Sequence, residues 1–273
     1  MDITAIHDLR GIRETADGLA IGALTPLTTI EHDPAIRRDY PVLAEAAATV
    51  ASPVIRNMGT IGGNICLDTR CLWYNQSLTW RKSCGFCIKK DGDICHVAPG
   101  GSECWAAFSG DTPAALLCLD AKIEIVSREG ARRVALKEFY TDVGDAPLRI
   151  GKNELLTRVL LPRSMAGRKG TYRKLRVRGS IDYPLAGVAI SAKNGNGAPQ
   201  DVRVAITAVN PAPILLQQET PGNDTNWIDT VENLADLAAR ASRPLTTSAL
   251  TPEYRREMVR VLTKRALNSI SPA

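Results

Sequence analysis

The chain has 273 residues, 44% hydrophobic and 23% charged, enough for two domains with their own cores and inconsistent with wholesale disorder. Lys and Arg outnumber Asp and Glu by 34 to 29, a scattered surplus that gives no footprint for nucleic acid; the one basic run, RKLRVR at 173–178, reads first as a solvated strand edge. No apolar run has the length of a membrane span, and the charges in MDITAIHDLR replace the apolar stretch a signal peptide needs, so a cytoplasmic setting is expected.

In chain order, 19–23 reads as a short strand, followed by a threonine-rich turn and the start of a helix. PVLAEAAATV at 41–50 is an alanine-rich helix that Ser52-Pro53 terminates. RNMGTIGGN at 56–64 is a glycine-rich turn, suited to a backbone that approaches a neighbour closely; on its own it is equally a tight turn between strands.

From Cys66 to Cys104 neither period 2 nor period 3.6 survives, yet the stretch carries six of the seven cysteines and two of the four tryptophans. A loop of that length inside a compact domain needs something to order it. In a reducing compartment clustered cysteines point to metal or redox chemistry before disulfides. Structural zinc favours two close pairs, and only Cys84 and Cys87 form a C-x-x-C. An iron-sulfur cluster accepts more widely separated thiolates. Six candidates leave the choice of four open, with Cys66 and Cys118 suited to packing as small apolar groups.

Beyond the loop, SGDTP at 109–113 caps a short apolar helix, AALLCLDA, with Asp111 at its start. KIEIVSREGARRVALKEFY follows as a hairpin turning near 128–130, and NELLTRVLLP at 153–162 as one more strand. RSMAGRKG is the best boundary, dividing the chain into 1–164 and 165–273. The second part opens with TYRKLRVR, PLAGVAISAK, an Asn-Gly-Asn-Gly turn and VRVAITAV, a three-stranded antiparallel sheet. Helices through VENLADLAARA and PEYRREMVRVLTKRALNSI pack on it through apolar stripes.

NMGTIGGNI, then SGDTPAALLCLDAKIEI, ELLTRVLLP and YRKLRVR, in that order, resemble the flavin-binding subunits of the molybdenum hydroxylase family, which includes xanthine and carbon monoxide dehydrogenases. The resemblance implies an α+β chain: the second half of a PCMH-type FAD-binding domain with an inserted cysteine-rich loop at 66–108, then a smaller domain. It implies FAD contacts at Thr60, Ile61, Gly62, Gly63 and Asn64 near the phosphates, Asp111 at the ribose end, and Leu155 and Lys174 near the flavin ring. Family members carry a further βαβ segment with a glycine-rich, AGGTDL-like loop ahead of this point, so Met1 is expected to fall inside the flavin domain.

The insertion itself resembles the flavin subunits of 4-hydroxybenzoyl-CoA reductases, in which an extra loop holds a 4Fe-4S cluster; the match places the ligands at Cys71, Cys87, Cys95 and Cys104, separated by 15, 7 and 8 residues, and leaves out Cys84. The implied role is electron transfer between a ferredoxin-like donor and a molybdenum centre, with a molybdenum-cofactor subunit and a 2Fe-2S subunit as partners. Two other readings stand beside it: the flavin subunit of an oxidative molybdenum hydroxylase, and a non-enzymatic zinc-binding docking scaffold.

Overall fold

The computed structural model describes residues 2–195, 198–216, 226–246 and 248–271. The chain opens with a hairpin, β1 (Ile12–Thr15) and β2 (Gly18–Gly22). Four short helices follow: α1 (Leu27–His32), α2 (Pro34–Asp39), α3 (Pro41–Ala48) and α4 (Pro53–Arg56). Punctuation sets their ends. Asp33 caps α2 by accepting from the Ile36 amide, Ser52 caps α4 by accepting from the Ile55 amide, and Pro occupies the first turn of α2, α3 and α4. α5 (Ile61–Ile65) is the glycine-rich turn itself, capped by Thr60, whose hydroxyl accepts from the Gly63 amide.

The cysteine-rich excursion leaves α5 at Cys66 and is closed by a bridge in which Arg70 and Ala107 exchange backbone hydrogen bonds of 2.7 and 2.9 Å. It is not wholly irregular, as the lost periodicity suggests: α6 (Leu78–Ser83) lies within it, capped by Ser77. Aromatic contacts order it further, with Trp73 stacked on His96 at 4.3 Å and packed against Trp80 at 5.2 Å. Lys89, nearly buried, ties it to the body through Asp68, Thr69 and the Gly144 carbonyl.

α7 (Thr112–Cys118) then enters the core, and β3 (Lys122–Ser127), β4 (Gly130–Ala135), α8 (Leu136–Phe139) and β5 (Leu155–Pro162) complete the first half. The strands form an antiparallel sheet in the order β1-β2-β5-β3-β4. Its inner face meets α5 and shares one core with α1, α3 and α7, with Ile21, Ile30, Leu43, Leu116 and Phe139 fully enclosed. Each such side chain contributes about 1.5–3 kcal/mol by leaving water.

The expected boundary falls in the single turn Arg163–Met165 between the sheets. β6 (Lys169–Leu175), β7 (Ala186–Lys193), β8 (Gln200–Thr207) and β9 (Ile214–Leu216) form a second antiparallel sheet in sequence order. It has four strands where the sequence pattern indicated three. β9 is a three-residue edge strand after Pro211 and Pro213, too short to show alternation. The last two residues of the Asn-Gly-Asn-Gly turn, like Met1, lie outside the described residues. α9 (Trp227–Ala241) and α10 (Pro252–Ile270) cover this sheet. Arg255 of α10 is 2% exposed and donates to the carbonyls of Leu185, Leu245 and Ala208 and to Ser248. Among the described residues no helix is long and apolar enough to cross a membrane.

Candidate functional site

A groove of about 300 Å³ opens where α1, α4 and α5 meet the start of α7 and the loop after β6. Its walls are mainly apolar, and its polar groups are few: Thr60, Asn64, Ser109, Asp111 and Asp182. α4 is braced by Arg56, which is buried, pairs with Glu31 at 2.8 Å and donates to the Val50 carbonyl.

The glycines in α5 have different duties. A Cβ on Gly62 would lie 2.8 Å from the Ala23 carbonyl oxygen, so this glycine lets the helix press against the end of β2. A Cβ on Gly63 would meet only the Thr60 hydroxyl, at 3.2 Å; the space above it is the groove.

Of the residues expected to bind cofactor, Thr60, Gly63, Asn64 and Asp111 line this groove. Ile61 and Gly62 sit behind it against the core. Leu155 begins β5 opposite Val126 and is not among the lining residues. The amides of α5 are engaged within the protein: Ile61 to the Thr25 carbonyl, Gly62 to that of Ala23, Gly63 to the Thr60 hydroxyl, and Asn64 to the Thr60 carbonyl. A phosphate at this turn would therefore meet the Thr60 hydroxyl rather than a row of free amides, which alters the contact expected there.

Asp111 holds the N-cap position of α7 without capping it; Asn64 does that work, its Oδ1 accepting from the Thr112 amide at 3.0 Å and the Thr112 hydroxyl at 2.7 Å. The Asp111 carboxylate instead accepts from the Tyr172 hydroxyl at 2.8 Å and from Lys174 Nζ at 3.1 Å. Lys174 is no solvated member of a basic run. Its side chain is 3% exposed, and its ammonium also donates to the Thr49 carbonyl. The pleat of β6 turns Lys174 inward while Arg173 faces solvent. Burial pushes the Asp111 carboxyl up and the Lys174 ammonium down, each opposed by the other's charge. Tyr172 and Thr49 carried no local signal, because their partner lies 61 or 62 residues away along the chain.

Cys71, Cys87, Cys95 and Cys104 line one small cavity with Trp73, Tyr74 and His96, whereas Cys84 and Cys66 do not. All seven cysteines are free thiols. Burial raises Cys71, and raises Cys104 to about 11. Among the described residues no group of three or more His, Cys, Asp or Glu side chains is gathered to hold a metal ion. The four thiols on one cavity are donors of the soft kind that zinc and iron-sulfur groups both take. Cys118 packs in the core, its thiol donating to the Ala189 carbonyl and raised to about 12 by burial.

The chain matches two family descriptions in tandem: the FAD-binding domain in molybdopterin dehydrogenase over residues 1–164 and the CO dehydrogenase flavoprotein C-terminal domain over residues 170–270. The chain belongs to the FAD-binding family of molybdopterin dehydrogenases. Within the family it is 28% identical over 275 residues to the carbon monoxide dehydrogenase medium chain of Hydrogenophaga pseudoflava, covering 98% of this chain and 80% of that one. It is 36% identical over 204 residues to the aldehyde oxidoreductase FAD-binding subunit of Escherichia coli, covering 71% of this chain and 62% of the relative. Its fold superposes on the structure of the Hydrogenophaga pseudoflava carbon monoxide dehydrogenase that lacks the Mo-pyranopterin moiety, with a TM-score of 0.74 at 26% identity over 98% of this chain and 80% of that chain. These likenesses are to dehydrogenases; the narrower expectation of a 4-hydroxybenzoyl-CoA reductase relative rests on the cysteine insertion alone.

The groove suits the family's flavin. It offers an apolar bed for a planar ring, a glycine surface at Gly63, and hydroxyl, amide and carboxylate groups for a polar chain.

Proposed function

We propose that this chain is the FAD-carrying, electron-transfer subunit of an oxidative molybdenum hydroxylase of the xanthine and carbon monoxide dehydrogenase type, working with a molybdenum-cofactor subunit and a 2Fe-2S subunit. The observation that carries the reading is the groove over Gly63, with Thr60, Asn64 and Asp111 at its wall and Lys174 paired to Asp111 from behind, in a chain of this family. Bound there, FAD supplies a centre able to pass one or two electrons. The chain's part is to bind and orient: Thr60 offers a hydroxyl at the α5 turn, Asp111 a carboxylate fixed from beneath, and the apolar walls exclude water. Leu155 lies outside this arrangement and is left without a role in it. Free, clustered thiols favour a cytoplasmic setting.

A second reading is favoured by the cavity shared by Cys71, Cys87, Cys95 and Cys104. On it the chain also carries a 4Fe-4S cluster, as flavin subunits of 4-hydroxybenzoyl-CoA reductases do, and receives electrons from a ferredoxin-like donor.

Anaerobic purification of the chain with its partner subunits tests both. Flavin at one equivalent per chain supports the first reading, and its absence removes it. Iron beyond the content of the 2Fe-2S subunit, lost in Cys87→Ser, supports the second; zinc in its place, or no additional metal, removes it.

A further inference from the structure

The hydroxyl of Tyr172 lies in a space that the backbone keeps open for it. A Cβ added at Gly187, the residue beside Lys174 on the neighbouring strand β7, would lie 2.3 Å from that hydroxyl and 2.6 Å from the Thr207 methyl, so only glycine there permits the ring to lie as it does. The Tyr172 amide is held from the other side, donating at 2.9 Å to Glu45 of α3, which also accepts from the Thr171 hydroxyl at 2.7 Å. Clamped in this way, Tyr172 is 3% exposed and its hydroxyl donates to Asp111 Oδ1, while Lys174 takes Oδ2. The carboxylate therefore has a donor on each oxygen, which sets both its position and its plane. Asp111 in turn lines the groove, whereas Tyr172 does not.

We infer that Tyr172 is a positioning residue for the flavin site, acting through Asp111: the gap at Gly187 lets its hydroxyl fix the carboxylate at the orientation the bound cofactor meets. This rests on the reading of the groove as the FAD site. A donor held without reorganisation strengthens the charged form of its acceptor and spares the ligand the cost of ordering it. Burial alone drives Asp111 toward the neutral acid, and the Tyr172 and Lys174 donors oppose that. Loss of one of them alters both the geometry and the charge presented to the groove.

The test compares Tyr172→Phe with Thr171→Val in the full chain, using FAD itself as the probe. Each removes one buried hydroxyl donor from the same strand at the junction with α3 or α7. Only the first touches Asp111. FAD affinity by fluorescence quenching is expected to fall about tenfold in Tyr172→Phe, the loss of one hydrogen bond to a charged group, and to stay within about twofold of wild type in Thr171→Val. The visible circular dichroism of bound flavin should change in the first variant only. Gly187→Ala should reproduce the Tyr172→Phe spectrum, and the double variant should add nothing to it. Equal affinity and an unchanged flavin spectrum in Tyr172→Phe, or equal losses in both single variants, overturn the inference while leaving the groove assignment intact. Failure of the wild-type chain to bind FAD overturns both.

Discussion

Replacing Lys174 with Met removes the ammonium from a pair whose side chains are 3% and 4% exposed, while keeping the length of the apolar stem. The Asp111 carboxylate then remains buried with Tyr172 as its nearest donor and Thr49 Oγ1 at 3.5 Å. Breaking a buried pair from one side costs about 3–5 kcal/mol, because one charge is left uncompensated. For a chain of this size that corresponds to a fall of roughly 6–20 °C in melting temperature. The cost depends on pH in a definite sense. Desolvation already raises Asp111, and loss of the opposing cation raises it further. A carboxyl whose folded pKa lies above its unfolded value of about 3.9 favours the folded state at low pH, and that contribution is lost as pH rises through the folded pKa. The deficit of Lys174→Met relative to wild type should therefore be larger at about pH 8 than at about pH 5.5. Adding Asp111→Asn should recover part of it, as expected of contacting residues. Urea unfolding of the three variants at both pH values measures this. A loss below about 1 kcal/mol that is equal at both would refute the buried pair as the origin of the effect.

Three further outcomes follow from the same geometry. Arg255→Met should lower stability by about 3 kcal/mol or more, because the carbonyls of Leu185, Leu245 and Ala208 lose a shared donor; chemical denaturation reads this, and a change under about 1 kcal/mol contradicts it. Gly62→Ala should destabilise the chain through its clash with the Ala23 backbone, whereas Gly63→Ala should leave the melting temperature within a few degrees of wild type; equal effects would mean that α5 does not pack as described. If the second reading holds, Cys84→Ser should leave the metal content of the purified complex unchanged, while Cys71→Ser, Cys95→Ser and Cys104→Ser should each reduce it, because the cavity is lined by the latter three with Cys87; a loss of metal in Cys84→Ser would transfer the site to the C-x-x-C pair.

The mixed helix-and-sheet character was legible wherever local chemistry and tertiary demand agreed. α10 begins at Pro252 behind the Thr251 cap and runs to Ile270, the span its periodic apolar residues and Thr-Pro start indicate. β9 was illegible because three residues cannot show a period, and β1 because its exposed polar residues suppress alternation. Lys174 is the most instructive case. Within RKLRVR it is one cation among several, and only the β6 pleat and an aspartate 63 residues earlier make it a buried ion-pair member. The cysteines stood out by number alone, but which four share a cavity is set by the folding of the excursion, including the Arg70–Ala107 closure and the Trp73–His96 stack, neither of which local patterns encode. Asp111 looked like a helix cap for a sound local reason; a distant Asn64 supplies the cap and frees it for the groove.

The central claim, that the groove over α5 holds the flavin, is tested most directly by titrating FAD into the full chain and its Gly63→Leu variant. Gly63 is exposed and its backbone is helical, so a side chain there projects into the groove without entering the core. Saturable binding by the wild-type chain, reduced at least tenfold in Gly63→Leu with an unchanged melting temperature, is the expected result. Equal affinity in the two proteins would contradict the claim.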